Sequence, residues 1–262
     1  MTSVPHVSLS AGSSTIDIPQ LGFGVWQVPD ADVTDAVTTA LEVGYRSIDT
    51  AAAYQNEDGV GRALARTDVP REEIFLTTKV PPNADDPRKV LETSLQKLGT
   101  DHLDLWLIHW TEGDSIHEDL WRVLLEAQQA GTVRDVGVSN YSLDQIDELT
   151  AASGVTPEIN QVRWSPTLFD QATVDGHRER GVVLEGYSPF RAGGLDHPVL
   201  LDIAKTHGAT AAQVVIRWHL QHEIVVIPKS ARRERIVDNV DVAGLVLTED
   251  EMRPIDGLGA AA

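Results

Sequence analysis

Apolar runs of strand length alternate with helical patterns about eight times along the chain. Strands are expected at 21–26 (LGFGVW), 45–49 (YRSID), 74–80 (IFLTTKV), 103–109 (LDLWLIH), 134–139 (RDVGVS), 158–162 (EINQV), 182–187 (VVLEGY) and 223–228 (EIVVIP). Between them lie amphipathic helical stretches. Asp32 to Val43 opens with an acidic turn and stops at Gly44, and Asp119 to Ala130 stops at Gly131. Two further helices, near 197–206 and 211–221, separate the last two strands, and another is expected over 248–257. Such alternation requires parallel strands joined by crossover helices. Eight units in about 250 residues fit a closed (β/α)8 barrel better than two domains, so residues 1–262 are read as one α/β barrel domain. The first segment, HVSLSAGSSTIDIPQ, alternates around a Gly-Ser turn like a hairpin and is expected to close the barrel's floor.

Composition narrows the chemistry. A hydrophobic fraction of 42% supports a sizeable core. No apolar run approaches the ~18 to 20 residues of a membrane span, and MTSVPHVSLSAGSS lacks the basic and apolar regions of a signal peptide, so a soluble, cytoplasmic protein is expected. A formal charge of -19 disfavours nucleic acid and anionic membrane as partners. With no cysteine there is no disulfide, thiolate nucleophile or cysteine metal site, and redox chemistry needs a borrowed cofactor. Against this acidic background one basic cluster stands out: Lys229, Arg232, Arg233 and Arg235.

In a (β/α)8 barrel, chemistry belongs to the C-terminal ends of the strands. Asp49, Lys79, His109, Ser139, Asn140, Gln161, Tyr187 and Lys229 all fall at or beside those ends. Asp49, Tyr54, Lys79 and His109 make a proton-donating set. A phenol titrates near ~10 in water and needs a neighbouring cation to release its proton easily. Lys79 supplies that cation, Asp49 compensates the buried lysine, and His109 orients a carbonyl. His219 and His222, three apart on a helix, are expected at a surface helix end and not at a metal, because no H-E-x-x-H pattern or thiolate accompanies them. Ser142, Ser165 and Ser188 lack a nucleophile-elbow sequence.

The segments DTAAAYQNEDGVGRAL, TTKV, LDLWLIHW, GVSNY, NQV, GYSPF and IPKSARRERIVDN, in this order, resemble the aldo-keto reductase superfamily and, within it, the prokaryotic diketogluconate reductase-like branch. The resemblance implies a catalytic tetrad of Asp49, Tyr54, Lys79 and His109, with Tyr54 as general acid and NADPH as hydride donor. It implies that Ser139, Asn140 and Gln161 hold the nicotinamide carboxamide, that Tyr187 stacks on the ring with Ser188 beside it, that Lys229, Ser230 and Arg235 take the 2′-phosphate, and that Asn239 lies near the adenine. Trp26 and Trp110 resemble the aromatic walls of the substrate pocket. The chain departs from the family pattern at VPPNADDP after Lys79, at Arg163, Trp164, Ser165 and Pro166, and in stopping soon after Gly257, which leaves an open pocket as the expectation. No strand leads into a G-x-G-x-x-G loop.

The expected activity is therefore NADPH-dependent reduction of aldehydes or ketones, such as small dicarbonyls and keto sugars, by a monomer. Two rivals remain at this level: a cofactor-binding regulatory subunit of the same fold, and a barrel lyase or isomerase using Lys79 as a Schiff base.

Overall fold

A computed structural model describes residues 4–11, 14–111, 113–190 and 194–259. In chain order the elements are β1 (His6–Ala11), β2 (Ser14–Pro19), β3 (Phe23–Gly24), α1 (Asp30–Val43), β4 (Ser47–Asp49), α2 (Glu57–Leu64), β5 (Phe75–Val80), α3 (Pro87–Leu98), β6 (Leu103–Ile108), α4 (Glu118–Gln129), β7 (Val133–Ser139), α5 (Leu143–Ser153), β8 (Ile159–Arg163), α6 (Gln171–Glu179), β9 (Val183–Tyr187), α7 (Pro198–His207), α8 (Ala211–Gln221), β10 (Val225–Ile227), α9 (Arg233–Val240) and α10 (Glu249–Asp256). Strands β3 to β10 are parallel neighbours in sequence order. The ring closes where Leu21 bridges Val226 and the Gly22 and Gly24 N–H groups donate to the Val226 and Pro228 carbonyls at 2.9 and 3.2 Å. This is the expected (β/α)8 barrel. Helices α7 and α8 both fall between the last two strands.

Strand parity sorts the side chains, since alternate residues of a barrel strand point inward. On β5, Phe75 and Lys79 point inward while Leu76 and Val80 join the layer under the helices; on β6, Leu105 and Leu107 point in while Trp106 and Ile108 point out. Apart from Asp135, in register with Leu105, the lower half of the interior is mainly apolar. There Phe75, Leu105, Leu107, Ile159 and Val225 pack on Leu9 and Ile18 of the β1–β2 hairpin, which plugs the floor. The Gly12-Ser13 turn of that hairpin lies outside the described residues. Interior crowding also explains Gly137 on β7: a Cβ there would meet Ile159 Cγ2 at 2.5 Å and the Ile159 carbonyl oxygen at 2.6 Å.

Several boundaries move. The first strand shrinks to Phe23–Gly24 because the Val25 N–H turns to the Asp49 carbonyl and a turn follows. Helix α1 starts at Asp30, two residues earlier than expected, and still ends at Gly44, whose φ of 112° suits only glycine. His219 is not at a surface helix end. It is fully buried, with Nδ1 at 2.7 Å from the Val215 carbonyl oxygen, and burial pushes its pKa down to about 4. His222, partly buried, bonds Asp256 at 2.8 Å. Among the described residues no helix is long and apolar enough to cross a membrane.

Candidate active site

Above the apolar plug the barrel interior turns polar, and there the sequence-predicted residues meet. Asp49 ends β4, and Tyr54 ends the short 3-10 turn that follows, Ala52–Tyr54. Two neighbours, Asn56 and Glu57, fix this turn. Asn56 donates to the Val25 and Val28 carbonyls at 3.0 and 2.9 Å and accepts from the Thr50 hydroxyl at 3.0 Å, tying the Tyr54 loop to the β3 loop. Buried Glu57 accepts from Thr78 at 2.7 Å and ties α2 to β5.

Lys79 is 0% exposed, and its ammonium donates to both Asp49 oxygens at 2.7 Å and to the Thr50 carbonyl at 2.9 Å. Burial alone would lower its pKa, but Asp49 and Tyr54 outweigh it and the net direction is upward, so Lys79 stays cationic. Its Nζ lies 5.2 Å from the Tyr54 ring centroid. For Tyr54 the expectation needs correction. Burial raises its pKa more than Lys79 lowers it, and Asp49 adds to the rise, so the phenol sits above its ordinary value. Lys79 therefore limits the effect of burial and does not make an unusually acidic phenol. The His109 ring packs edge-on to Tyr54 at 5.3 Å, and burial together with the Lys79 charge pushes its pKa down to about 3. At neutral pH it is an uncharged imidazole.

On the opposite wall a second hydrogen-bonded series runs along the strand ends. Tyr187 donates to Asn140 Oδ1 at 3.0 Å, Asn140 Nδ2 donates to Ser139 Oγ at 2.8 Å, and Ser139 Oγ donates to the Gln161 carbonyl at 2.8 Å. Gln161 Nε2 then reaches Asp49 Oδ2 at 2.9 Å, joining this wall to the proton-donating set. Asn140 and Ser188 adopt φ of 62° and 55°. Strained backbone of this kind persists where surrounding structure enforces it, commonly at functional sites.

A cavity of about 480 Å³ opens between the two walls, bounded by Asp49, Tyr54, His109, Ser139, Asn140, Gln161, Tyr187, Ser188 and Lys229. Trp26 and Trp110, 40% and 51% exposed, stand at its mouth. Packing in the core therefore explains neither tryptophan. Ser230, Arg235 and Asn239 lie outside this cavity wall, on the β10–α9 connection and on α9. Within the basic cluster Arg233 is committed to Thr39 and Glu42, whereas Lys229, Arg232 and Arg235 have no ion-pair partner among the described residues. Sequence reasoning missed six lining residues, Gly24, Gln27, Ala53, Pro189, Phe190 and Ile227, and the buried Glu185 bonded to Gln161. Phe190 stood in the quoted GYSPF segment and Gln27 directly follows Trp26, so adjacency was the only available signal.

Known proteins share the sequence family and the fold. The model of the Aldo/keto reductase family matches residues 11–260. The methylglyoxal reductase DkgA of Escherichia coli is 43% identical over 244 residues, covering 91% of this chain and 88% of that protein. An aldo/keto reductase crystal structure from Brucella melitensis superposes with a TM-score of 0.92 at 38% identity, covering 98% of this chain and 100% of the other. A Bombyx mori aldo-keto reductase in complex with NADP gives 0.90 at 31% identity, with coverages of 98% and 94%. The chain belongs to the aldo/keto reductase family of oxidoreductases.

Proposed function

We propose that this chain reduces small aldehydes and ketones, with dicarbonyls and keto sugars foremost, using NADPH, and that Tyr54 is the general acid. The observation that carries this reading is the convergence of Asp49, Tyr54 and His109 on one cavity beneath two exposed tryptophans, with the buried Lys79 ammonium bonded to Asp49 and set against the Tyr54 ring. The similarity to a methylglyoxal reductase and to a structure holding NADP supports the substrate class and the cofactor.

The residues present fit a nicotinamide dinucleotide phosphate. Ser139, Asn140 and Gln161 offer donors and an acceptor to the carboxamide, and the half-buried Tyr187 ring, tethered through its hydroxyl, offers a flat apolar face with Ser188 beside it. Lys229 and Arg235, without ion-pair partners among the described residues, are available to the 2′-phosphate with Ser230 beside them and Asn239 towards the adenine. The bound nicotinamide supplies the hydride. The protein's own work is at the carbonyl oxygen: Tyr54 Oη gives it a proton while the neutral His109 offers an N–H. Lys79 stabilises the phenolate left behind, and Asp49 keeps Lys79 charged. With its ammonium held by three acceptors and its pKa raised, Lys79 is a poor Schiff-base nucleophile.

The test is absorbance loss of NADPH with a panel headed by methylglyoxal and small keto sugars, with NADH in parallel. Carbonyl-dependent consumption is expected. Failure with every activated carbonyl compound, in protein that binds the nucleotide, would favour a regulatory subunit instead.

A further inference from the structure

Glu185 is a carboxylic acid inside the barrel, 1% exposed, on the β9 position paired in register with Gln161 of β8. Neither the proton transfer nor the cofactor contacts described above use it. Its Oε2 accepts from Gln161 Nε2 at 2.8 Å, and the same nitrogen donates to Asp49 Oδ2 at 2.9 Å. A side-chain amide has two N–H donors and one carbonyl acceptor. Both donors are thus taken by carboxyl groups on opposite sides of the barrel, β9 and β4. Only Oε1 remains to face the cavity that Gln161 lines. Turning the amide over would set that oxygen against an Asp49 oxygen, acceptor against acceptor.

We propose that Glu185 is a positioning residue for the cofactor site: by holding the second N–H of Gln161 it locks the amide so that its carbonyl oxygen, and not its nitrogen, reads the nicotinamide carboxamide. This inference rests on the cofactor reading above. Burial and the Asp49 charge raise the Glu185 pKa to about 7. The lock survives that titration, because a protonated acid keeps a carbonyl oxygen that accepts the same N–H. What matters is an acceptor at this place and not its charge, which predicts that glutamine substitutes for Glu185 and an apolar side chain does not.

The experiment measures dissociation constants by tryptophan fluorescence for NADP and for its 3-acetylpyridine analogue, in which a methyl group replaces the carboxamide NH2. Wild type should prefer NADP by about 5-fold, the value of one neutral hydrogen bond. Glu185→Met should lose most of that preference, and Glu185→Gln should restore it. A Glu185→Met protein that folds and keeps the wild-type preference overturns the proposal, as does a Glu185→Gln protein that loses it as fully as methionine does. Wild type that binds neither nucleotide overturns the cofactor reading itself, a different outcome. Should the methionine variant not fold, the Gln161 side-chain NH2 signals in selectively labelled wild type decide: slow solvent exchange of both protons is expected, and rapid exchange of either contradicts the lock.

Discussion

The two ends of the barrel each bury an aspartate against cations, with opposite consequences. At the mouth, Asp49 meets Lys79 at 2.7 Å, and the buried ammonium lies 5.2 Å from the centroid of the Tyr54 ring, which lines an open cavity. At the floor, Asp104 meets Arg71 at 2.8 Å and Arg134 at 2.9 Å and accepts the Leu76 N–H at 2.9 Å. Its partners lead to further backbone, Arg71 donating to the Ile74 and His102 carbonyls. The floor cluster joins β5, β6 and β7, and its buried aspartate is fully engaged by two arginines and a backbone N–H. A groove of about 790 Å³ beside it includes Asp104 and Arg134, yet none of the tetrad. The same ion-pair chemistry ties strands together at the floor, and at the mouth it sets a cation beside a phenol, the arrangement proposed above for proton transfer.

The largest effect that tests this contrast is at the mouth. Tyr54→Phe should lower turnover by at least ~100-fold while leaving the nucleotide dissociation constant nearly unchanged, since only a proton donor is removed. Lys79→Met should lower it similarly, because the phenol would then face burial without its cation. Near-normal turnover in either variant would remove that residue from the mechanism. The raised Tyr54 and lowered His109 pKa values set the sign of the pH profile: reduction should hold across pH 5 to 8, with the acid protonated and the imidazole neutral, and fall only as pH rises past the ordinary phenol range.

The floor should respond in stability instead. Asp104→Ala strands two arginines and a backbone N–H, and because the arginines are partly exposed the cost is about 2 kcal/mol, below that of breaking a fully buried pair. Urea titration should show that loss, while turnover of the remaining folded enzyme stays near wild type at low temperature. A comparable fall in turnover per folded molecule would mean that the two ends are not independent.

Why the mouth was legible and the floor only partly so follows from how barrels write their sequences. Asp49, Lys79, His109, Ser139, Asn140, Gln161 and Tyr187 stand at the ends of apolar runs, where a polar residue contrasts with its neighbours. Glu185 stands within VVLEGY, two residues before the strand end, and only its pairing with Gln161 in β8 reveals that it points inward. His219 was misplaced for a related reason. A helix end looks exposed in sequence, but α8 carries Trp218 and His219 under Phe169 and β9, which distant segments supply. The acidity of Tyr54 was misjudged because spacing identifies a cation beside a phenol but not how far both are removed from water.

Asp135 sharpens the contrast from the other side, as a buried carboxylate without a cation. It accepts the Val136 N–H at 2.8 Å, while Oδ2 has no hydrogen-bond partner among the described residues. Burial, with nearby Glu158, raises its pKa from 3.8 to about 7. The folded protein therefore holds this proton more tightly than the unfolded chain. The resulting stability is fully present below about pH 4 and is lost as pH rises through about 7. Asp135→Asn should gain about 2 kcal/mol at pH 8 and little at pH 4, roughly half of what the shift represents at ~1.4 kcal/mol per unit, because the new amide has N–H groups to satisfy. Urea titrations at both pH values check this; a gain independent of pH would assign the effect to packing.

A smaller effect is expected from the cations near the mouth. Arg235→Ala should weaken NADPH roughly tenfold and NADH hardly at all, because a charge-assisted contact to the 2′-phosphate exists only in the former. Added salt should shrink the preference. Equal weakening of both cofactors would leave Lys229 and Arg235 as ordinary surface charge.

The smallest effect concerns the pocket walls and separates an open mouth from a closed one. Trp26 and Trp110 are about half exposed, so a substrate touching either keeps much of its own surface in water, and burial contributes in proportion to the area actually removed. Small dicarbonyls should depend on the oxygen-binding groups, Tyr54 and His109, far more than on these walls. Trp110→Ala should then raise KM for an aromatic aldehyde by about threefold, below the ~1 to 3 kcal/mol that a methylene contributes in a closed pocket, and should leave KM for methylglyoxal nearly unchanged. Wild-type micromolar KM for one bulky substrate, with steep discrimination against its near analogues, would mean that the mouth closes on that substrate and that Trp110 is buried when it does.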